Sequence, residues 1–241
     1  MTTDGLVTGS VAQCDGTGYF ARPDSPGDQA LLVIPMITGI GRRVREFAHD
    51  FAGAGFTTLC WDPFDGASTD THSVEELRAL RDRFDDRRVL SRLGELLTML
   101  QERWGARRIG VVGYCLGGRF ALLLAADDGR VDATVGYHPT VPVTPATNHS
   151  IDPFTVAPQI RGPVLIHYPG QDDLVPYESL QRLEAALRSR LHASTLVHYH
   201  PDAGHGFSDT AKHHTEANRA AYRRAAPQTL AFLQTALHEA S

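Results

Sequence analysis

Cys115 stands between two glycines in the run 111–118 (Val-Val-Gly-Tyr-Cys-Leu-Gly-Gly), where an apolar strand pattern gives way to an apolar helix pattern. No other feature constrains the fold as tightly as this Gly-x-Cys-x-Gly spacing. A chain that turns from strand to helix within one residue holds that residue in a strained conformation and needs small neighbours, which Gly113 and Gly117 supply. The helix opening there aims its free N–H groups and its positive dipole end at the cysteine. Both effects favour a thiolate and any oxyanion beside it, so Cys115 is a candidate nucleophile. A lone cysteine is also a common core residue, so its partners must decide.

The remaining chain alternates strand and helix patterns. Short apolar runs at 30–35 and 56–61 read as buried strands, and 108–114, 131–137, 163–168 and 194–200 read as further strands. Between them lie helical stripes: Val44, Phe47 and Phe51; then Leu90, Leu93, Leu97, Leu100 and Trp104. Further stripes are the apolar run 120–125, ended by Asp128-Gly129, and Leu180, Leu183, Leu187 and Leu191. Leu230, Leu233 and Leu237 mark a last helix, with Pro227 in its first turn. The order predicts an α/β fold, one domain over residues 1–241, with a mostly parallel central sheet and helices on both faces. Residues 5–23 suit an antiparallel hairpin at one edge. The stretch 140–158, rich in Pro, Thr and Val, reads as a long loop of the kind that borders active sites.

Composition narrows the function. The chain has 241 residues and a net charge of −5, so nothing suggests nucleic acid or an anionic membrane as partner. Three cysteines, Cys14, Cys60 and Cys115, are too few and odd in number for a disulfide framework. No basic-then-apolar leader opens the sequence, and no apolar run reaches the roughly 18 residues of a spanning helix. A cytoplasmic protein is expected, acting on a small molecule as a monomer or small homo-oligomer.

Two further candidates lie at later strand ends, where sheets of this class bind ligands. Gly-Gln-Asp-Asp-Leu-Val-Pro (170–176) offers Asp172 or Asp173, and Ala-Gly-His-Gly-Phe (203–207) offers His205. A histidine that deprotonates the thiol, steadied by an aspartate, gives the order nucleophile, acid, histidine. The backbone N–H groups of Leu116 and of Ile37, after the first buried strand, are the candidate oxyanion hole. Met36, Phe64, Tyr137, His138 and Phe207 lie at strand ends and are candidate pocket walls.

These segments, with Trp-Asp-Pro-Phe (61–64), resemble the dienelactone hydrolase family of the α/β-hydrolases over nearly the whole chain. The resemblance implies ester or lactone hydrolysis through a cysteine acyl-enzyme, without metal or organic cofactor. It assigns Cys115 as nucleophile, Asp172 as acid and His205 as base. It also exposes departures. Met36 stands where the resemblance implies a glutamate that helps activate the thiol. Ser208 and Asp209 stand where it implies an arginine for the substrate carboxylate. A second arginine falls within 72–84, where Arg78, Arg81 and Arg83 are candidates. These changes favour a less charged ester or lactone than dienelactone.

Three other readings compete. A His198, His200 and His205 tripod would bind zinc, although no His-Glu-x-x-His pattern occurs. A thiol sensor would pair Cys115 with Cys60 as resolving cysteine. A water-excluding site with the same triad would cyclise, isomerise or transfer an acyl group.

Overall fold

The computed structural model describes residues 5–13 and 16–239; Cys14 lies outside them. Eight strands form one sheet: β1 (Leu6–Gln13), β2 (Gly16–Pro23), β3 (Gln29–Ile34), β4 (Thr57–Cys60), β5 (Arg108–Tyr114), β6 (Ala133–Tyr137), β7 (Val164–Gln171) and β8 (Thr195–Gly204). Their spatial order is β1-β2-β4-β3-β5-β6-β7-β8. β1 and β2 make the expected antiparallel hairpin, and the six strands from β3 to β8 run parallel.

The helices are α1 (Arg42–Gly53), α2 (Val74–Arg81), α3 (Asp86–Trp104), α4 (Leu116–Asp127), α5 (Pro153–Val156), α6 (Tyr177–Arg188) and α7 (Glu216–Glu239). Continuous apolar strands need cover on both faces. Leu31 and Val33 of β3 belong to the core cluster that holds residues of α1 and α7, whereas Leu32 and Ile34 belong to the one that holds residues of α2, α3, α4 and α6. No helix among the described residues is long and apolar enough to cross a membrane.

Three local expectations change. α7 begins at Glu216, so Pro227 lies inside it rather than in its first turn, and the helix continues past one missing hydrogen bond. α6 stops at Arg188, which leaves Leu191 97% exposed beyond the apolar stripe. The stretch 140–158 is not all loop, because Asp152 caps the short α5 and a 3-10 turn follows at Ala157–Gln159.

Candidate active site

The candidate residues lie at the carboxyl end of the sheet. Cys115 follows β5 with φ 52° and ψ −113°, a strained turn for a residue bearing Cβ. A Cβ on Gly117 would lie 2.0 Å from the Ile34 carbonyl oxygen, and one on Gly113 would lie 2.1 Å from that of Gly117. The elbow therefore fits only because two side chains are missing, and this seats α4 directly on the end of β3. Pairing of Gln171 with Gly204 brings the ends of β7 and β8 together, so the next residues, Asp172 and His205, face each other.

His205 Nε2 lies 3.1 Å from Cys115 Sγ, and its Nδ1 lies 2.8 Å from Asp172 Oδ2. The His205 and Asp172 side chains are 9% and 2% exposed. The other carboxylate oxygen of Asp172 accepts from the N–H groups of Leu174 and Val175, both at 2.9 Å, so the carboxylate is anchored on both sides. Asp173 is exposed. Of the two aspartates that the turn offers, Asp172 is the one bonded to His205.

Burial opposes ionisation of the Cys115 thiol. The hydrogen bond and charge of His205, the Thr140 hydroxyl and the Leu116 N–H outweigh it and hold the thiol below its ordinary value. Burial likewise opposes protonation of His205, but Asp172 and Cys115 raise it to about 10. The two form a coupled pair that favours thiolate beside imidazolium.

Thr140 was not singled out from sequence. Its Oγ1 lies 3.2 Å from Cys115 Sγ, and its N–H donates to the Cys115 carbonyl. This places the start of the 140–158 stretch against the thiol. An internal ion pair anchors that stretch. Arg119 of α4 grips Asp86 of α3 at 2.7 and 2.8 Å and donates to the Ile151 carbonyl. Asp86 accepts in turn from the N–H groups of Ser150 and Ile151. Only the three-dimensional fold joins these residues; nothing in their local sequence marks them.

The pocket candidates are placed as follows. Met36 is buried after β3, and Gly39 donates to its carbonyl. Phe64 is buried against Phe84. The Tyr137 hydroxyl lies 2.7 Å from Thr229 Oγ1, on the α7 side of the sheet. Phe207 is buried edge-on to His138. His138 is fully buried, with φ 37°, its Nε2 2.8 Å from Ser208 Oγ and its ring 4.9 Å from that of His205. Asp209 caps a 3-10 turn, Arg81 pairs with Asp82, and Arg78 and Arg83 are exposed.

The zinc tripod is not assembled: His198 Nδ1 bonds Gln228 and His200 packs on His167 and Phe207. Among the described residues, the cluster with metal-ligand spacing is instead Cys115, His138 and His205.

The profile of the dienelactone hydrolase family matches residues 17–237. A carboxymethylenebutenolidase of Pseudomonas putida is 28% identical over 235 residues, covering 92% of each chain. A dienelactone hydrolase-like promiscuous phosphotriesterase from metagenomic libraries shares the fold, with TM-score 0.76 and 19% identity over 96% of this chain and 99% of that one. An esterase of Pyrococcus furiosus does so with TM-score 0.68 and 14% identity, over 98% and 96%.

Proposed function

Because the chain belongs to the dienelactone hydrolase family, we propose that it hydrolyses a carboxylic ester or lactone through an acyl-enzyme on Cys115. The observation that carries this reading is the chain from Sγ to His205 to Asp172, at 3.1 and 2.8 Å. The Cys115 thiolate attacks the carbonyl carbon. The N–H groups of Leu116 and Ile37 hold the oxyanion of the tetrahedral intermediate. Imidazolium at His205 gives its proton to the leaving oxygen as the carbon–oxygen bond breaks, which leaves a thioester. His205 then takes a proton from water, and the resulting hydroxide releases the acid. Asp172 fixes the imidazole tautomer and stabilises its charged form throughout.

The name of the Pseudomonas putida relative, carboxymethylenebutenolidase, supports a lactone as one substrate class. The surroundings of Cys115 support a less anionic one. The residues after Phe207 are a serine bonded to His138 and an aspartate that caps a turn, so neither supplies a cation for a carboxylate. Hydrolysis is also favoured over thiol sensing, since Cys60 is fully buried and burial pushes its thiol far up.

Intact-mass analysis during incubation with a panel of activated esters and lactones tests the proposal. The expected result is an acyl adduct on Cys115 that decays with time and is absent in Cys115→Ala. No adduct and no turnover with any compound would overturn it.

A further inference from the structure

The buried ring of His138 has no part in that reaction. Its Nε2 lies 2.8 Å from the Ser208 hydroxyl, while its Nδ1 is buried with no hydrogen-bond partner outside its own residue. A buried polar atom without a partner from elsewhere requires an explanation. The His138 ring stands beside the Cys115–His205 pair: one ligand atom from each of Cys115, His138 and His205 lies within 4.8 Å of the others.

We infer that Cys115, His138 and His205 form a binding site for a soft divalent cation of the Zn2+ type, which silences the nucleophile when bound. The chemistry of each ligand fits. A thiolate with two imidazoles suits Zn2+ and not Mg2+ or Ca2+. A neutral imidazole is the form that ligates, and His138 is fully buried. The tautomer with its proton on Nε2, donated to the Ser208 hydroxyl, is the one that would leave the Nδ1 lone pair for a metal. The Asp172 carboxylate orients the His205 ring in the same manner. Such outer partners accompany nearly all histidine ligands of metals. Tetrahedral bonds of about 2.1 and 2.3 Å place ligand atoms about 3.3–3.6 Å apart. A pair at the 4.8 Å limit must therefore close by about 1.2–1.5 Å when the metal binds.

Binding forms one metal–sulfur and two metal–nitrogen bonds. It breaks the N–H bond of the imidazolium, so the one proton shared by Cys115 and His205 leaves to solvent. The fourth position is left for water. Inhibition rests on the proposed hydrolysis, because coordination consumes both the nucleophile and the base. The existence of the site does not.

Titration of the full chain, reduced, metal-stripped and without a polyhistidine tag, with Co2+ reads the site directly. One Co2+ per chain is expected, with a thiolate-to-cobalt charge-transfer band that Zn2+ abolishes by displacement. Cys115→Ser should lose the band. His138→Asn, chosen because asparagine tolerates positive φ, should bind at least about 100-fold more weakly, and Ser208→Ala about 10–100-fold more weakly. Should His138→Asn fail to fold, Ser208→Ala carries the test. Binding without the band, or undiminished binding in the variant that carries the test, overturns the inference. Zn2+ inhibition of p-nitrophenyl acetate hydrolysis, reversed by chelation, is the expected functional effect. A chain that shows the band yet hydrolyses no ester keeps the metal site and loses the hydrolase reading; one that hydrolyses without the band does the reverse.

Discussion

Asp86→Asn is a demanding perturbation of this fold, because it removes one charge from a buried pair. The side chains of Arg119 and Asp86 are 1% and 2% exposed. The carboxylate accepts two bonds from Arg119, at 2.7 and 2.8 Å, and two from the backbone of Ser150 and Ile151, at 2.8 and 2.9 Å. Neutralising it strands a guanidinium in the interior, a change that costs about 3–5 kcal/mol. For a chain of this size, each kcal/mol moves the melting temperature by about 2–4 °C, so a fall of about 6–20 °C is expected. The pH dependence has a definite sign. Burial works against the Asp86 charge, but Arg119 and the two N–H groups hold its folded-state value below the ordinary one. Its contribution is therefore present above about pH 4 and is lost as pH falls through the lowered value. The double variant Asp86→Leu with Arg119→Met should recover most of the loss, since an apolar pair of similar volume is no worse than a buried ion pair. Scanning calorimetry of the parent, Asp86→Asn, Arg119→Met and the double variant reads both effects. A melting temperature for Asp86→Asn within about 2 °C of the parent, or a double variant less stable than either single, would refute the reasoning.

Three further outcomes are expected. Asp172→Asn removes the hydrogen bond that helps raise His205 to about 10, so His205 falls and Cys115 rises; the pH profile of iodoacetamide alkylation should shift upward, and an unchanged profile would count against the coupled pair. Gly117→Ala forces a methyl to within 2.0 Å of the Ile34 carbonyl oxygen and should destabilise by about 3 kcal/mol or more, read as a lowered denaturation midpoint. Met36→Glu should alter thiol alkylation or the range of lactones hydrolysed; if neither changes, position 36 does not govern the site.

What the sequence made legible follows the reach of its signals. Strands buried on both faces announce themselves as unbroken apolar runs, and β3 to β7 lie where those runs fall. Helix α2 buries only Leu77 and so has no apolar stripe; its one sequence mark is the capping box of Ser73 and Glu76. Pro227 concealed the first half of α7, because a proline is read as a start when packing in fact carries the helix through it. The elbow and the His205 loop were visible as short patterns. Thr140 and the Arg119–Asp86 anchor were not, since their roles arise from contacts between segments 25 and 33 residues apart. The sequence marks His138 as a strand end; that its Nδ1 finds no partner in another residue is a property of the packed interior.

The elbow also bears on when the chain acquires its reactivity. The Cys115 N–H donates to the Tyr137 carbonyl across two strands, its carbonyl accepts from Thr140, and its sulfur meets a histidine 90 residues away. None of these contacts is local, so a nascent or half-folded chain carries an ordinary thiol there. Only when β3, β5, β6 and β8 have all docked does the sulfur become a ready nucleophile. A brief pulse of alkylating agent during refolding would thus label completed molecules first, and the chemistry of a single atom would serve as a clock for the last step of folding.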